Sequence, residues 1–290
     1  MIRVSDLKFT YPRAEKRTLE SLDFEIADGE IFGFLGPSGA GKSTTQKILI
    51  GLLRGYEGRA EVMGREIRDW GSDYYERVGV SFELPNHHKR LTARENLEHF
   101  ASLYAGPTLA PEEVLEWVDL ADAADKRVQD FSKGMKIRLN VARSLIHRPK
   151  LLFLDEPTSG LDPVNALRVR DLVRRVRAEG TTVFLTTHDM HVADQLCDRV
   201  AFIAGGRIAT VGNPAELRRA HGRRVVAVEW RPAAGPADAP LQREEFDLDG
   251  LAGDAEFQRR LADERVETIH SQETTLDQVF IEVTGEALHR

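Results

Sequence analysis

The run Gly36-Pro37-Ser38-Gly39-Ala40-Gly41-Lys42-Ser43 fits G-x-x-x-x-G-K-[ST] at every fixed position and follows the apolar run Ile31 to Leu35. Few short segments restrict a fold so tightly. Such a loop leaves a buried strand, curls with its N–H groups inward and enters a helix. The helix expected here covers Thr44 to Leu53, so its partially positive end faces the loop. Lys42 has the reach for the β- and γ-phosphates of a nucleotide, and the Ser43 hydroxyl suits Mg²⁺. A Gly-rich turn that binds nothing would account for the glycines alone, but not for strand, loop and helix together. The loop by itself leaves the activity open, because GTPases, kinases, motors and transport ATPases all use it.

Around the loop, short apolar runs recur with helical patterns between them: Ile31 to Leu35, Val78 to Phe82, Leu151 to Leu154, Val183 to Thr186 and Val200 to Ile203. That alternation predicts an α/β fold whose central strands are buried on both faces. Val4 to Thr10 and Leu22 to Ile26 alternate like antiparallel strands, with a turn at Asp28-Gly29, which predicts a small β layer at the start. From about 87 to 147 helical signals replace strand signals. Thr92 with Glu95 makes a capping box ahead of Leu97, Phe100, Ala101 and Tyr104, and Pro111 opens a second helix with Val114, Leu115 and Val118. The segment reads as a helical insertion between two strands.

Beyond Gly212-Asn213-Pro214 the motifs stop. Arg231 to Pro240, rich in Pro and Ala, reads as a loop or linker between strand-like stretches, and Val266 to His270 as a strand. Thr275-Leu276-Asp277-Gln278 is a second capping box, opening a helix with Leu276, Val279, Phe280 and Val283 on one face. The division expected is 1–215 for the main domain and 216–290 for a small accessory α+β domain.

With 290 residues, 41% hydrophobic and 30% charged, the chain can bury a full core, and no window approaches the roughly 18 apolar residues of a membrane span. Its start lacks the basic and apolar stretches of a signal peptide, so the compartment expected is the cytoplasm. A net charge of −7 argues against a general nucleic-acid binder. Arg168, Arg170, Arg174, Arg175 and Arg177 share a helix with the apolar face Val169, Leu172, Val173 and Val176, and read as its solvated side, with a lipid-headgroup or partner contact as the other reading. Cys197, the single cysteine, excludes an internal disulfide and reads as a half-buried helix residue.

Leu151-Leu152-Phe153-Leu154-Asp155-Glu156 is an apolar strand ending in two acids, at the sheet edge where open α/β folds bind nucleotides. Asp155 is the candidate Mg²⁺ ligand, through water, and Glu156 the candidate base or orienting group for water attacking the γ-phosphate. The same residues are also good turn and helix-cap chemistry. His188, in Thr186-Thr187-His188-Asp189, leaves the sheet on the same side and can donate to the γ-phosphate or fix the geometry of Glu156 and its water.

Phe131-Ser132-Lys133-Gly134-Met135-Lys136 then precedes a helix shortly before that acidic strand. With this element the chain resembles an ATP-binding-cassette (ABC) ATPase, whose signature Leu-Ser-Gly-Gly-Gln it keeps at Ser132 and Gly134 and departs from at Lys133 and Met135. The resemblance implies a RecA-like P-loop core with an antiparallel β subdomain and a helical subdomain. It further implies that Ser132, the amide of Gly134 and the helix start grip the γ-phosphate of ATP bound to the opposite subunit. Tyr11 stands where the family stacks an aromatic on adenine, and would otherwise be ordinary strand packing. Ser159-Gly160-Leu161-Asp162 resembles the loop touching the other nucleotide site, although Asp162 before Pro163 is also a plain helix cap. The family commonly has glutamine where this chain has Glu83. A carboxylate can still ligate Mg²⁺ or position water but adds negative charge beside a polyphosphate.

The tail Thr275-Leu276-Asp277-Gln278-Val279-Phe280-Ile281-Glu282-Val283-Thr284-Gly285 is similar to the ending of drug-resistance-type exporter subunits, which are encoded separately from their permease. The resemblance implies ATP and Mg²⁺ as cofactors and a head-to-tail dimer with a second copy. It also implies an integral-membrane permease as partner, and a peripheral place on the cytoplasmic face of the cell membrane. Two rivals belong to other classes. A soluble cassette ATPase of ribosome or DNA metabolism would need two cassettes or a long coiled-coil insertion. A nucleotide-responsive regulatory module would lack turnover, against which Asp155, Glu156 and His188 stand.

Overall fold

The alternating residues at the start form β1 (Ile2–Phe9) and β2 (Leu19–Ile26), antiparallel with Ile2 opposite Ile26 and Val4 opposite Phe24. Next come β3 (Ile31–Leu35), β4 (Glu57–Val62), β5 (Arg65–Glu66), β6 (Val78–Ser81), β7 (Leu151–Asp155), β8 (Thr182–Thr187), β9 (Arg199–Ala204) and β10 (Arg207–Gly212). All ten make one sheet in the order β5-β4-β1-β2-β10-β9-β3-β8-β7-β6. Strands β9, β3, β8, β7 and β6 run parallel and form the core, as the recurring apolar runs predict. Within the sheet, among the described residues, the outer antiparallel layer joins the rest through one registered pair, Arg207 with Ser21, next to a hydrogen bond from Glu20 N–H to Gly206 O.

Aromatic rings fill the centre. Phe32, Phe153 and Phe184 are fully buried and lie on adjacent strands, with Phe184 in register with both Phe32 and Phe153. Phe24 stacks on Phe32 at 5.9 Å, and Phe34 meets both Phe24 and Phe184. Each buried ring contributes about 2–3 kcal/mol of transfer free energy, which fixes the parallel strands against one another. Their C-terminal ends are thereby held in one row.

The helices are α1 (Lys42–Leu49), α2 (Ala93–Ala101), α3 (Pro111–Trp117), α4 (Lys133–Leu145), α5 (Pro163–Ala178), α6 (Met190–Leu196), α7 (Pro214–His221), α8 (Ala255–Asp263) and α9 (Leu276–Thr284). Helix α1 is displaced from the expected Thr44 to Leu53. It begins at Lys42 and stops early, because Gly51 at φ 85° turns the chain out of the helix. The capping box of α2 forms as read, with both reciprocal bonds between Thr92 and Glu95. Helix α2 ends at Ala101, so Tyr104 lies beyond it and stacks on His147 at 4.0 Å. Helix α5 buries Val169, Leu172, Val173 and Val176, while its arginines pair with acids outside: Arg174 with Asp171 and Arg175 with Glu179 close by, Arg177 with Asp198 and Arg168 with Asp119 from other segments. Cys197 corrects the half-buried reading. It caps α6 in an extended conformation against Gly33, 8% exposed, and burial pushes its thiol well above the usual range. Strands β4 and β10 had no counterpart among the expected elements, since β4 buries only Ala60 and Val62 and no residue of β10 is fully buried.

The structure, a computed structural model, describes residues 1–222, 225–232, 240–263, 265–272 and 274–285, in two units, Met1–Pro214 and Ala215–Gly285. In the second, β11 (Val225–Arg231), β12 (Gln242–Asp247) and β13 (Arg265–Gln272) make an antiparallel sheet with β11 in the middle. Val226, Val228, Trp230 and Phe246 are its core, closed by Phe257 of α8 against Phe246 at 5.4 Å and by Arg260 over Trp230. Helix α9 begins with the Thr275–Gln278 capping box and ends at Gly285, φ 69°; Leu276, Val279 and Phe280 are buried and Val283 half-buried. Most of the expected linker, 233–239, lies outside the described residues. No helix among the described residues is long and apolar enough to cross a membrane.

Candidate functional site

A cavity of about 460 Å³ opens at the C-terminal ends of the parallel strands, within the range of small-ligand sites. Four elements line it: the loop after β3 with Ser38, Gly39 and Gly41, running into Lys42, Ser43 and Thr44 of α1; Asp155 and Glu156 at the end of β7; His188 after β8; and Glu83 after β6. Tyr11 and Thr18, from the segment joining β1 to β2, close the remaining side.

The loop is shaped by its glycines. At Gly36 an added Cβ would lie 2.1 Å from the carbonyl oxygen of Ile203, so only glycine lets the loop leave β3 against β9. Gly41 caps α1 at φ 113°, and a Cβ there would lie 2.6 Å from Leu19 Cδ2. Gly36, Pro37 and Ala40 form the back of the loop and do not line the cavity. Lys42 is 8% exposed, and its Nζ donates to Gly36 O at 2.6 Å and to Pro37 O at 3.1 Å. Burial lowers its pKa, while Glu156, Asp155 and Glu83 act in the opposite sense. The ammonium thus rests on carbonyls that a more negative ligand can replace.

The acids are held in different ways. Asp155 ends β7 in register with Thr186, and the Thr186 hydroxyl donates to Asp155 Oδ1. Glu156 takes a positive φ of 46°, unusual for a residue with a side chain, and its N–H donates to Thr186 O at 3.0 Å. That turn sends its carboxylate toward the end of β8. There Oε1 accepts from His188 N–H at 2.9 Å and from His188 Nδ1 at 2.7 Å, and Oε2 from the Thr187 hydroxyl at 3.0 Å. A carboxylate only accepts, so Nδ1 carries the hydrogen in this pair. Glu156 is 11% exposed against 59% for His188, so the carboxylate is fixed and the imidazole stands at the cavity mouth.

Tyr11 packs edge-on against Phe9 at 4.9 Å, and its hydroxyl lies 3.1 Å from Thr44 Oγ1. The Glu83 loop is tied to α4. Asn140, 1% exposed, donates from Nδ2 to Ser81 Oγ at 2.9 Å and Phe82 O at 2.8 Å, and Arg143 donates to Asn86 O and to Asn140 Oδ1. His87 Nε2 lies 2.9 Å from Lys136 O on the same helix, and burial pushes its imidazole down to about 4, so the ring is neutral and Nε2–H donates. These links were not anticipated. The legible signal was a polar residue, Asn140, between Leu139 and Val141 on an otherwise buried stretch of helix.

Ser132, Gly134 and Asp162 do not line the cavity. Ser132 caps α4 by accepting from Met135 N–H at 3.2 Å, and Gly134 lies in its first turn. Asp162 caps α5 by accepting from Val164 and Asn165 N–H, bonds that hold its carboxyl below the usual range, with the Asn165 bond foremost. Leu161 and Asn165 sit against Gly134, so the two capped helix starts are neighbours. The fold therefore makes one group of the loop, the acids, His188, Glu83 and Tyr11, and a separate group of Ser132, Gly134 and Asp162.

The chain is similar to known proteins over nearly its whole length. Residues 19–159 match the family model described as ABC transporter, and residues 224–273 the model described as fluoroquinolone efflux ABC transporter C-terminal domain. A fluoroquinolones export ATP-binding protein of Mycobacterium tuberculosis is 56% identical over 288 residues, covering 99% of this chain and 94% of that protein. A daunorubicin resistance ATP-binding protein of Streptomyces coeruleorubidus is 37% identical over 308 residues, covering 98% of each. Among solved structures, an ATP-binding subunit of an ABC transporter superposes with TM-score 0.68 at 29% identity, covering 76% of this chain and 92% of that one. A dimeric post-hydrolysis cassette bound to ADP and Pi superposes with TM-score 0.67 at 26% identity, covering 73% and 98%.

Proposed function

The chain belongs to the ABC transporter family, as the ATP-binding, ATP-hydrolysing subunit of a drug-export system, and from that premise we propose how its residues share the reaction and what completes it. The observation that carries the proposal is Glu156, held by three donors beside the lysine-bearing loop.

In the proposed reaction the loop N–H groups and the start of α1 receive the phosphates, and Lys42 exchanges its two carbonyl partners for phosphate oxygens. Tyr11 offers its ring to adenine. Glu156 takes a proton from water as the water oxygen attacks the γ-phosphorus, and the bond to the bridging oxygen of ADP breaks. His188 is braced through Nδ1–H on Glu156, and with both ring nitrogens protonated its Nε2–H can donate to the γ-phosphate. Ser43, Asp155 and Glu83 fit Mg²⁺ because they are hard oxygen donors facing one cavity. A few protein oxygens of this kind suit an ion held chiefly through substrate phosphates and water. When bound, Mg²⁺ supplies charge neutralisation for the phosphates.

Ser132, Gly134 and Asp162 stand outside this cavity, which supports a site completed by a second copy placed head to tail. Closure of that dimer around two ATP molecules would drive a separate integral-membrane permease from the cytoplasmic face, with export as the direction. The test is reconstitution with the permease in vesicles: ATP-driven accumulation of drug, absent when either component is omitted, is the result expected. ATP turnover without effect on any permease would leave only the ATPase.

Glu83 is assigned the role of a metal-proximal sensor, joined to α4 by Asn140 and Arg143. Glu83→Ala is expected to raise several-fold the Mg²⁺ needed for half-maximal turnover and to weaken coupling to transport. Unchanged turnover, Mg²⁺ dependence and transport would remove that role.

A further inference from the structure

Strand β8 ends in two adjacent hydroxyls, Thr186 and Thr187, both fully buried, and each meets one of the two acids at the end of β7. We propose that Thr186 and Thr187 are positioning residues for hydrolysis: Thr187 aims Glu156 at the attacking water, and Thr186 aims Asp155 at the metal side of the site. The inference rests on the ATPase reading above.

The geometry around Thr187 leaves its hydroxyl little choice. Asp189 N–H donates to Thr187 Oγ1 at 3.0 Å, so that oxygen is already engaged as an acceptor and turns its own hydrogen to Glu156 Oε2. Asp189 is in turn the cap of α6, where its side chain accepts from Val192 N–H, so the chain of bonds starts at a fixed helix end. His188 holds only Oε1. Without Thr187 the carboxylate would be free to turn about the His188 contact. For Thr186 the closer acceptor is Asp155 Oδ1, with Gln46 Oε1 further off at 3.4 Å. Adjacent strand residues face opposite ways, and the left-handed turn at Glu156 sends the second acid to its own hydroxyl.

A hydrogen bond from a neutral donor to a charged acceptor, lost at a reacting group, lowers turnover by about 10- to 100-fold. Thr187→Val keeps the shape and is expected to lower kcat by that amount with KM for ATP unchanged, whereas Thr187→Ser, which keeps the hydroxyl, recovers most of the rate. Thr186→Val is expected to raise the Mg²⁺ needed for tight binding of a fluorescent ATP analogue, a measurement independent of turnover, and Thr187→Val is not. Binding of the analogue without Mg²⁺ and a cooperative thermal melt report folding of each variant. If Thr187→Val does not fold, Thr187→Ala replaces it in the same comparison with serine. Serine losing as much as the variant without a hydroxyl, a rise in KM in place of a fall in kcat, or unchanged Mg²⁺ dependence in Thr186→Val would overturn the assignment. Wild-type protein and Glu156→Gln are run alongside. Equal turnover in those two would refute the ATPase reading itself, whereas a wide gap between them with wild-type behaviour of the threonine variants refutes only this inference.

Discussion

Glu156→Gln is expected to lower ATP turnover by about 10²- to 10⁴-fold, the span assigned to a positioned general base, while leaving ATP binding intact. The carboxamide has the same shape, and its oxygen can keep the Oε1 position, where His188 N–H and Nδ1 donate. Its nitrogen then faces Thr187, whose hydroxyl can accept as well as donate. Position is preserved and basicity is lost. ATP should consequently persist, and if the site is completed by a second copy as proposed, ATP favours the closed pair of subunits and an ATP-dependent dimer should accumulate. Sedimentation at saturating ATP checks this directly, and a variant that stays monomeric there counts against a site completed by a second copy.

The second large effect concerns Lys42. Lys42→Ala should weaken ATP binding by about 100-fold or more, from the loss of roughly 3 kcal/mol of charge-assisted bonding to phosphate. The cavity holds Asp155, Glu156 and Glu83, and all three act on Lys42 electrostatically. With the ammonium gone, a triphosphate would enter beside three acids and only backbone N–H groups. The change should not unfold the protein. Lys42 is a desolvated charge resting on two carbonyls, so the nucleotide-free melting temperature is expected to stay level or rise. Lys42→Arg should not restore binding, because a planar fork cannot fold back into the space of a compact ammonium. Equilibrium titration with labelled nucleotide and a thermal melt separate these outcomes. Near-normal affinity in Lys42→Ala would exclude Lys42 as the phosphate ligand.

Much of this site was readable before any coordinates, for a physical reason. The loop, Asp155, Glu156 and His188 each follow a buried strand at once, so a short local pattern carries both the residue and its place at the sheet edge. The outer strands were harder. In β4 only Ala60 and Val62 point to the core among charged neighbours, and β10 is half-exposed throughout, so neither leaves an apolar run. Links made across long separations were invisible as well. Thr18 reaches the cavity from the β1–β2 connection, and Asn140 binds the Glu83 loop 58 residues away, where no sequence periodicity connects them. The left-handed turn at Glu156 was equally hidden, since it is set by the bond to Thr186 O and the pull of β8 on the side chain.

Tyr11 and Thr18 belong to the antiparallel layer, the phosphate loop to the parallel core, and among the described residues one registered pair connects the two parts of the sheet. In the proposed binding mode a nucleotide, with its base toward Tyr11 and its phosphates in the loop, spans that seam. The backbone seam is backed by a core that the two layers share, in which Phe24 of β2 packs on Phe32 and Phe34 of β3, so both halves of the cavity wall are held in place by apolar packing more than by the sheet's hydrogen bonds.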